Sequence, residues 1–188
     1  ALFQGKIGDA GFNPQQLTNF SFFDQFSKYM IGSYSTIVYF GLPNVFCGVL
    51  AGVLFLLFFG VRKISLSEKI GSGAIVLLFI FSFYLVPLEK AWSGFQYPNW
   101  FPARYSFLFS FFLLFLAYRA FLHLHEFSSV VLLGAGGISL AAIAAVALWA
   151  NGAKVQTAMI LLTAAAVILY VALLFLSRSR RSGWLALP

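Results

Sequence analysis

Long apolar runs, interrupted by short polar stretches, make up most of the chain. The first runs from about Pro43 to Val61 and stops at Arg62 and Lys63. The second runs from about Ile70 to Leu88 and follows Ser67, Glu68 and Lys69. The third covers about Tyr105 to Leu122 and precedes His123, His125 and Glu126. A fourth, about Ser129 to Ala150, and a fifth, about Val155 to Leu176, are joined by "NGAK". Each is near the roughly 20 residues that a bilayer-crossing helix needs. Helices apolar on every side require lipid or protein around them. The pattern therefore predicts an all-α, polytopic membrane bundle of five transmembrane helices.

Ahead of the first run, "PQQLTNFSFFDQFSKYMIGSY" places Phe22, Phe23, Phe26, Tyr29 and Met30 at helical spacing. Pro14 suits a first helical turn. Two readings fit: an amphipathic helix lying at the membrane interface, or a core helix of an outer domain. Gly41, Leu42, Pro43 and Asn44 turn the chain into the first span. Three segments result: 1–42 with the interfacial helix, 43–122 with a loop at 89–104, and 123–188, rich in Ala and Gly.

Composition supports the membrane class. Apolar residues are 61% and charged residues 9% of the chain, against roughly a quarter charged in soluble domains. The net charge of +7 would point to nucleic acid in a soluble protein. Here the basic residues flank apolar runs, so they read as topology signals and no nucleic-acid partner is expected. One side collects Arg62, Lys63, Lys69, Arg119, Arg178, Arg180 and Arg181; the other has Lys6, Lys28, Lys90, Arg104 and Lys154. The cluster "SRSRRS" places the C-terminal end in the cytoplasm, and five spans then put the N-terminal segment and the 89–104 loop outside.

Little else carries chemistry. Cys47 is the single cysteine and reads as a small core residue. His123 and His125 fall on different helix faces, and no metal site is expected. No phosphate-binding or nucleophile-elbow motif is present. Gly48 and Gly52 have the spacing that lets membrane helices approach closely. The chain starts at Ala1 without an initiator Met or signal peptide and reads as a piece of a longer protein.

The exception is "EKAWSGFQYPNWFPARYSFLFSF", from Glu89 to Phe111. Trp92, Phe95, Tyr97, Trp100 and Phe101 form an aromatic set that reads either as an interface belt or as a binding surface. Pro98 and Pro102 stiffen the backbone. Arg104 can hold a phosphate bidentately or snorkel to the headgroups. Ser106 and Ser110 continue a polar stripe. Glu89 can pair with Lys90 or Arg104, or serve as a base or metal ligand.

The spacing W-x-G-F-x-x-P-N-x-F-P-x-R-x-S-F from Trp92 to Phe107, with "GLPNVFCGVLAGVLFLLFF" and "SEKI", resembles the bacterial YfhO-type membrane protein family over about residues 1–121. That family is similar to GT-C-type glycosyltransferases. The resemblance implies transfer of a sugar from a polyprenyl-phosphate donor to a cell-wall polymer such as lipoteichoic acid, on the outer face of the bacterial plasma membrane. It implies substrate-binding roles for Arg104, Lys90, Trp92, Tyr97, Asn99 and Trp100, with Glu89 the weak candidate acid, and it leaves open a divalent metal in the full-length protein. Such enzymes carry a catalytic acid on their first outer loop. Asp9, Asp24 and Glu89 are the outward acids here and none has that context, so this segment is expected to lack the catalytic base. Two other functions remain open: a lipid or polymer transporter component, and a non-catalytic membrane scaffold.

Overall fold

The computed structural model describes residues 17–33, 42–96, 102–150 and 155–179. The described residues are helical apart from short connections. A 3-10 helix, Asp24–Tyr29, is followed by α1 (Val49–Phe58), α2 (Leu66–Tyr84), α3 (Val86–Trp92) and α4 (Ser106–Phe121). A 3-10 turn at Leu124–Glu126 then leads to α5 (Ser129–Trp149) and α6 (Thr157–Ser179).

Three of these helices are long and apolar enough to cross a membrane: Leu66–Tyr84, Ser129–Trp149 and Thr157–Ser177. The other two predicted spans are shorter helices. At about 1.5 Å per residue, the ten residues of α1 cover about half of a hydrocarbon core roughly 30 Å thick. Its start is set by Gly48, whose φ of 96° is open to glycine but strained for other residues. The non-helical stretch before it holds Leu42 and Val45 at 5% and 1% exposure. Irregular backbone at membrane depth persists only where protein covers it.

Helix α1 lies at the centre. It packs against α4, α5 and α6, with Val53, Leu54, Leu57 and Phe58 buried. Helix α2 joins through rings: Phe79 and Phe83 meet Phe109 of α4 at centroid distances of 5.4 and 5.6 Å. At its start the Ser65 hydroxyl caps the helix, accepting from the Glu68 N–H at 3.2 Å. At that end of the bundle Arg119 grips the Glu68 carboxylate with both terminal nitrogens, at 3.0 and 3.4 Å. Lys63 and His123 both meet Glu126, at 2.6 and 3.2 Å.

The N-terminal helix is shorter than its spacing predicted. It is six residues of 3-10 helix, and Asp24, Gln25, Ser27 and Lys28 are buried, so its polar side faces protein. The Ile31 N–H donates to Thr163 Oγ1 at 3.0 Å, tying the segment to α6.

The expected close approach at Gly48 and Gly52 is not found: a Cβ at either meets nothing within 4 Å. The tight contacts are elsewhere. A Cβ at Gly60 would stand 2.7 Å from Val131 Cγ1, and one at Gly136 would stand 3.0 Å from Val171 Cγ2. Gly60→Ala is therefore expected to destabilise the bundle by about 1–2 kcal/mol through overpacking, measured as a lower unfolding midpoint in detergent.

A clasped loop as candidate functional site

The site is built on a break in α2. Pro87 has no N–H, so the Phe83 carbonyl four residues back loses its helical partner. Leu85 takes an extended conformation, φ −95° and ψ 120°, and the helix restarts as α3. A break here exposes carbonyls that must find other donors.

Three consecutive carbonyls find them from distant segments. Ser82 C=O accepts from the Tyr105 hydroxyl at 2.7 Å. Phe83 C=O accepts from Asn19 Nδ2 at 3.0 Å. Tyr84 C=O accepts from the Asn19 N–H at 2.9 Å, and the Val86 N–H donates to Leu17 C=O at 3.1 Å. The last two form a short antiparallel bridge between Thr18 and Leu85. The N-terminal segment and the loop, both predicted on the same side of the membrane, are thus joined.

Glu89 stands one turn into α3 and is 2% exposed. Its Oε1 accepts from the Ala103 N–H at 3.0 Å, and its Oε2 accepts from Asn19 Nδ2. Burial pushes its pKa above the ordinary carboxylate value, while the bonds from Ala103 and Asn19 pull it back down. Ala103 has φ 55°, a left-handed conformation that costs a non-glycine residue about 1–2 kcal/mol. The bond to Glu89 helps hold it.

Tyr105 closes the other flank. Its ring stacks on Trp92 at 4.7 Å and on Phe83 at 5.2 Å, and Trp92 also stacks on Phe79 at 5.7 Å. Helix α3 ends with Ser93 and Phe95 N–H groups both on Lys90 C=O, at 2.9 and 2.8 Å, through left-handed Gly94 and Phe95.

Arg104 thus lies between two anchored neighbours, Ala103 and Tyr105, and is itself exposed. Lys90 is half-buried beside Glu89, and Trp92 is 44% exposed. Of the expected polar stripe, Ser106 is buried and Ser110 half-buried. Tyr97, Asn99 and Trp100 lie outside the described residues, as do Asp9, Arg180 and Arg181. The sequence reading missed Asn19 and Tyr105. Pro87 inside an apolar run was the available signal, because it announces orphaned carbonyls without naming their partners.

Among the described residues no three His, Cys, Asp or Glu side chains are grouped to hold a metal ion. Glu89, the loop's acid, already uses both oxygens on Ala103 and Asn19. These residues therefore supply no donor set for a divalent metal.

Long apolar helices around a polar clasp define the class: a helical, membrane-spanning bundle with one elaborated end. The chain matches the family described as "Bacterial membrane protein YfhO" over residues 1–187 and belongs to it. The match runs through the Ala-rich last third, beyond the 1–121 region that carried the resemblance. No curated protein and no solved structure matches the chain.

Proposed function

We propose that this chain is part of a membrane glycosyltransferase that moves a sugar from a polyprenyl-phosphate donor to a cell-wall polymer such as lipoteichoic acid, with the clasped loop facing outward. The observation that carries the reading is the rigid setting of Arg104, exposed between Ala103 and Tyr105. Preorganised cations stabilise charge that grows in a transition state without reorganising as it grows. The acceptor hydroxyl attacks the anomeric carbon, the bond from that carbon to the phosphate oxygen breaks, and the leaving phosphate keeps the electron pair. Arg104, with Lys90 as second cation, meets that charge. Trp92, Tyr97, Asn99 and Trp100 contact sugar or prenyl groups.

Glu89 acts in this reading as a positioning residue. A carboxylate with both oxygens engaged and 2% exposure is poorly placed to take a proton from an acceptor. The base then comes from outside the described residues.

The test uses membranes from cells making the full-length protein and from cells lacking it. Labelled sugar is expected to pass from polyprenyl phosphate to polymer only in the first. Equal transfer in both would remove the enzyme reading and favour a scaffold.

A further inference from the structure

The second feature of the bundle is an apolar cleft of about 260 Å³. Its floor is α1 and α4, with Gly48, Gly52 and Phe109; α2 supplies Val76 and Ile80 to one wall. At the rim on α5, Ile138 is 58% exposed and Ala142 is exposed. We propose that this cleft binds one fatty acyl chain of a surrounding bilayer phospholipid.

The glycines make the room. Gly48, which caps α1, and Gly52, four residues on in its first turn, line the cleft and face open space where a Cβ would go. Small residues at that spacing normally seat a second helix; here they leave a channel beside α1. An apolar cavity of roughly 150 Å³ takes a benzene ring, so this cleft accommodates a longer segment of hydrocarbon.

The chemistry of the walls selects a chain without a headgroup. Among the described residues, no charged side chain lines the cleft. Two of the wall hydroxyls are turned to backbone: Thr163 Oγ1 donates to Met159 C=O at 2.6 Å, and Ser139 Oγ donates to Ala135 C=O at 2.8 Å. In a bilayer the gain is dispersion contact along the walls, since lipid tails are as apolar as the side chains. With no charged group among the described wall residues to favour a rare lipid, the most abundant chain fills the site by mass action. The inference rests on membrane insertion alone and is independent of the transferase reading.

The test places the full-length protein in nanodiscs of phosphatidylglycerol carrying a photoreactive diazirine on one acyl chain. After illumination, labelled peptides are mapped. Label is expected on residues 48–56 and 138–146, and Gly52→Leu is expected to cut it there about tenfold, equivalent to about 1.4 kcal/mol. Label on the outer faces at Leu77 and Ile168 serves as the internal standard and is expected to stay. Ala142→Phe, at the exposed rim, gives a second variant that decides the matter if Gly52→Leu does not fold. Label insensitive to the substitution, or confined to the outer faces, would overturn the proposal. So would an isoprenyl-phosphate diazirine that labels the cleft at least about tenfold more strongly at equal mole fraction, which would assign the site to the isoprenoid.

Discussion

Arg104→Ala is expected to lower sugar transfer by about a hundredfold at matched protein levels, the loss that follows removal of one charge-stabilising donor. Its neighbours give the argument its force. Ala103 is held by Glu89 and Tyr105 by Ser82, so the guanidinium is presented from a fixed backbone. Arg104→Lys keeps the charge and loses the bidentate fork, so it is expected to recover only part of the activity. The measurement is the rate of labelled-sugar transfer in membranes, with expression checked by immunoblot. Unchanged transfer in Arg104→Ala would assign the residue to headgroup snorkelling.

Glu89→Ala is expected to destabilise the clasped end of the bundle by about 3 kcal/mol, since the Ala103 N–H and the Asn19 amide each lose a buried acceptor at about 1–3 kcal/mol. Glu89→Gln keeps an acceptor for Ala103 but points an amide NH₂ at that of Asn19, for an expected cost of about 1–2 kcal/mol. The two differ from wild type in pH dependence as well. The Glu89 pKa is raised by burial, so the folded state binds its proton more tightly than the unfolded state. That contribution is fully present below the ordinary carboxylate range and is lost as pH rises through the raised value. The stability gap between wild type and Glu89→Gln is therefore expected to widen in favour of wild type from about pH 7 to about pH 5. Thermal unfolding in detergent across that range measures it. A gap that narrows with acid would mean that the hydrogen bonds from Ala103 and Asn19 outweigh burial and hold Glu89 as a carboxylate.

The membrane class was legible because burial in lipid is a property of long runs. Apolar stretches near 20 residues leave no soluble alternative, and α2, α5 and α6 follow them closely. Where a run contained Pro87 or Gly48, the chain broke. Hydropathy does not register either residue's effect on the backbone, so the predicted second span ran past the break to Leu88. The predicted first span began at Pro43, ahead of the α1 start at Val49. The pair Gly48 and Gly52 was misread for a related reason. The spacing says that room exists, while the occupant depends on which helix is brought opposite.

By itself the sequence determined a helical membrane protein, two elaborated regions, and the loop motif that carries the family resemblance. Those depend on composition and local pattern. Only the tertiary structure decided that Asn19 serves Glu89 and Phe83 together, that Tyr105 serves Ser82, and that Gly48 and Gly52 border a cleft. Each of these joins residues far apart along the chain. A buried carbonyl must find a donor, but which distant side chain supplies it is fixed only when the helices have packed.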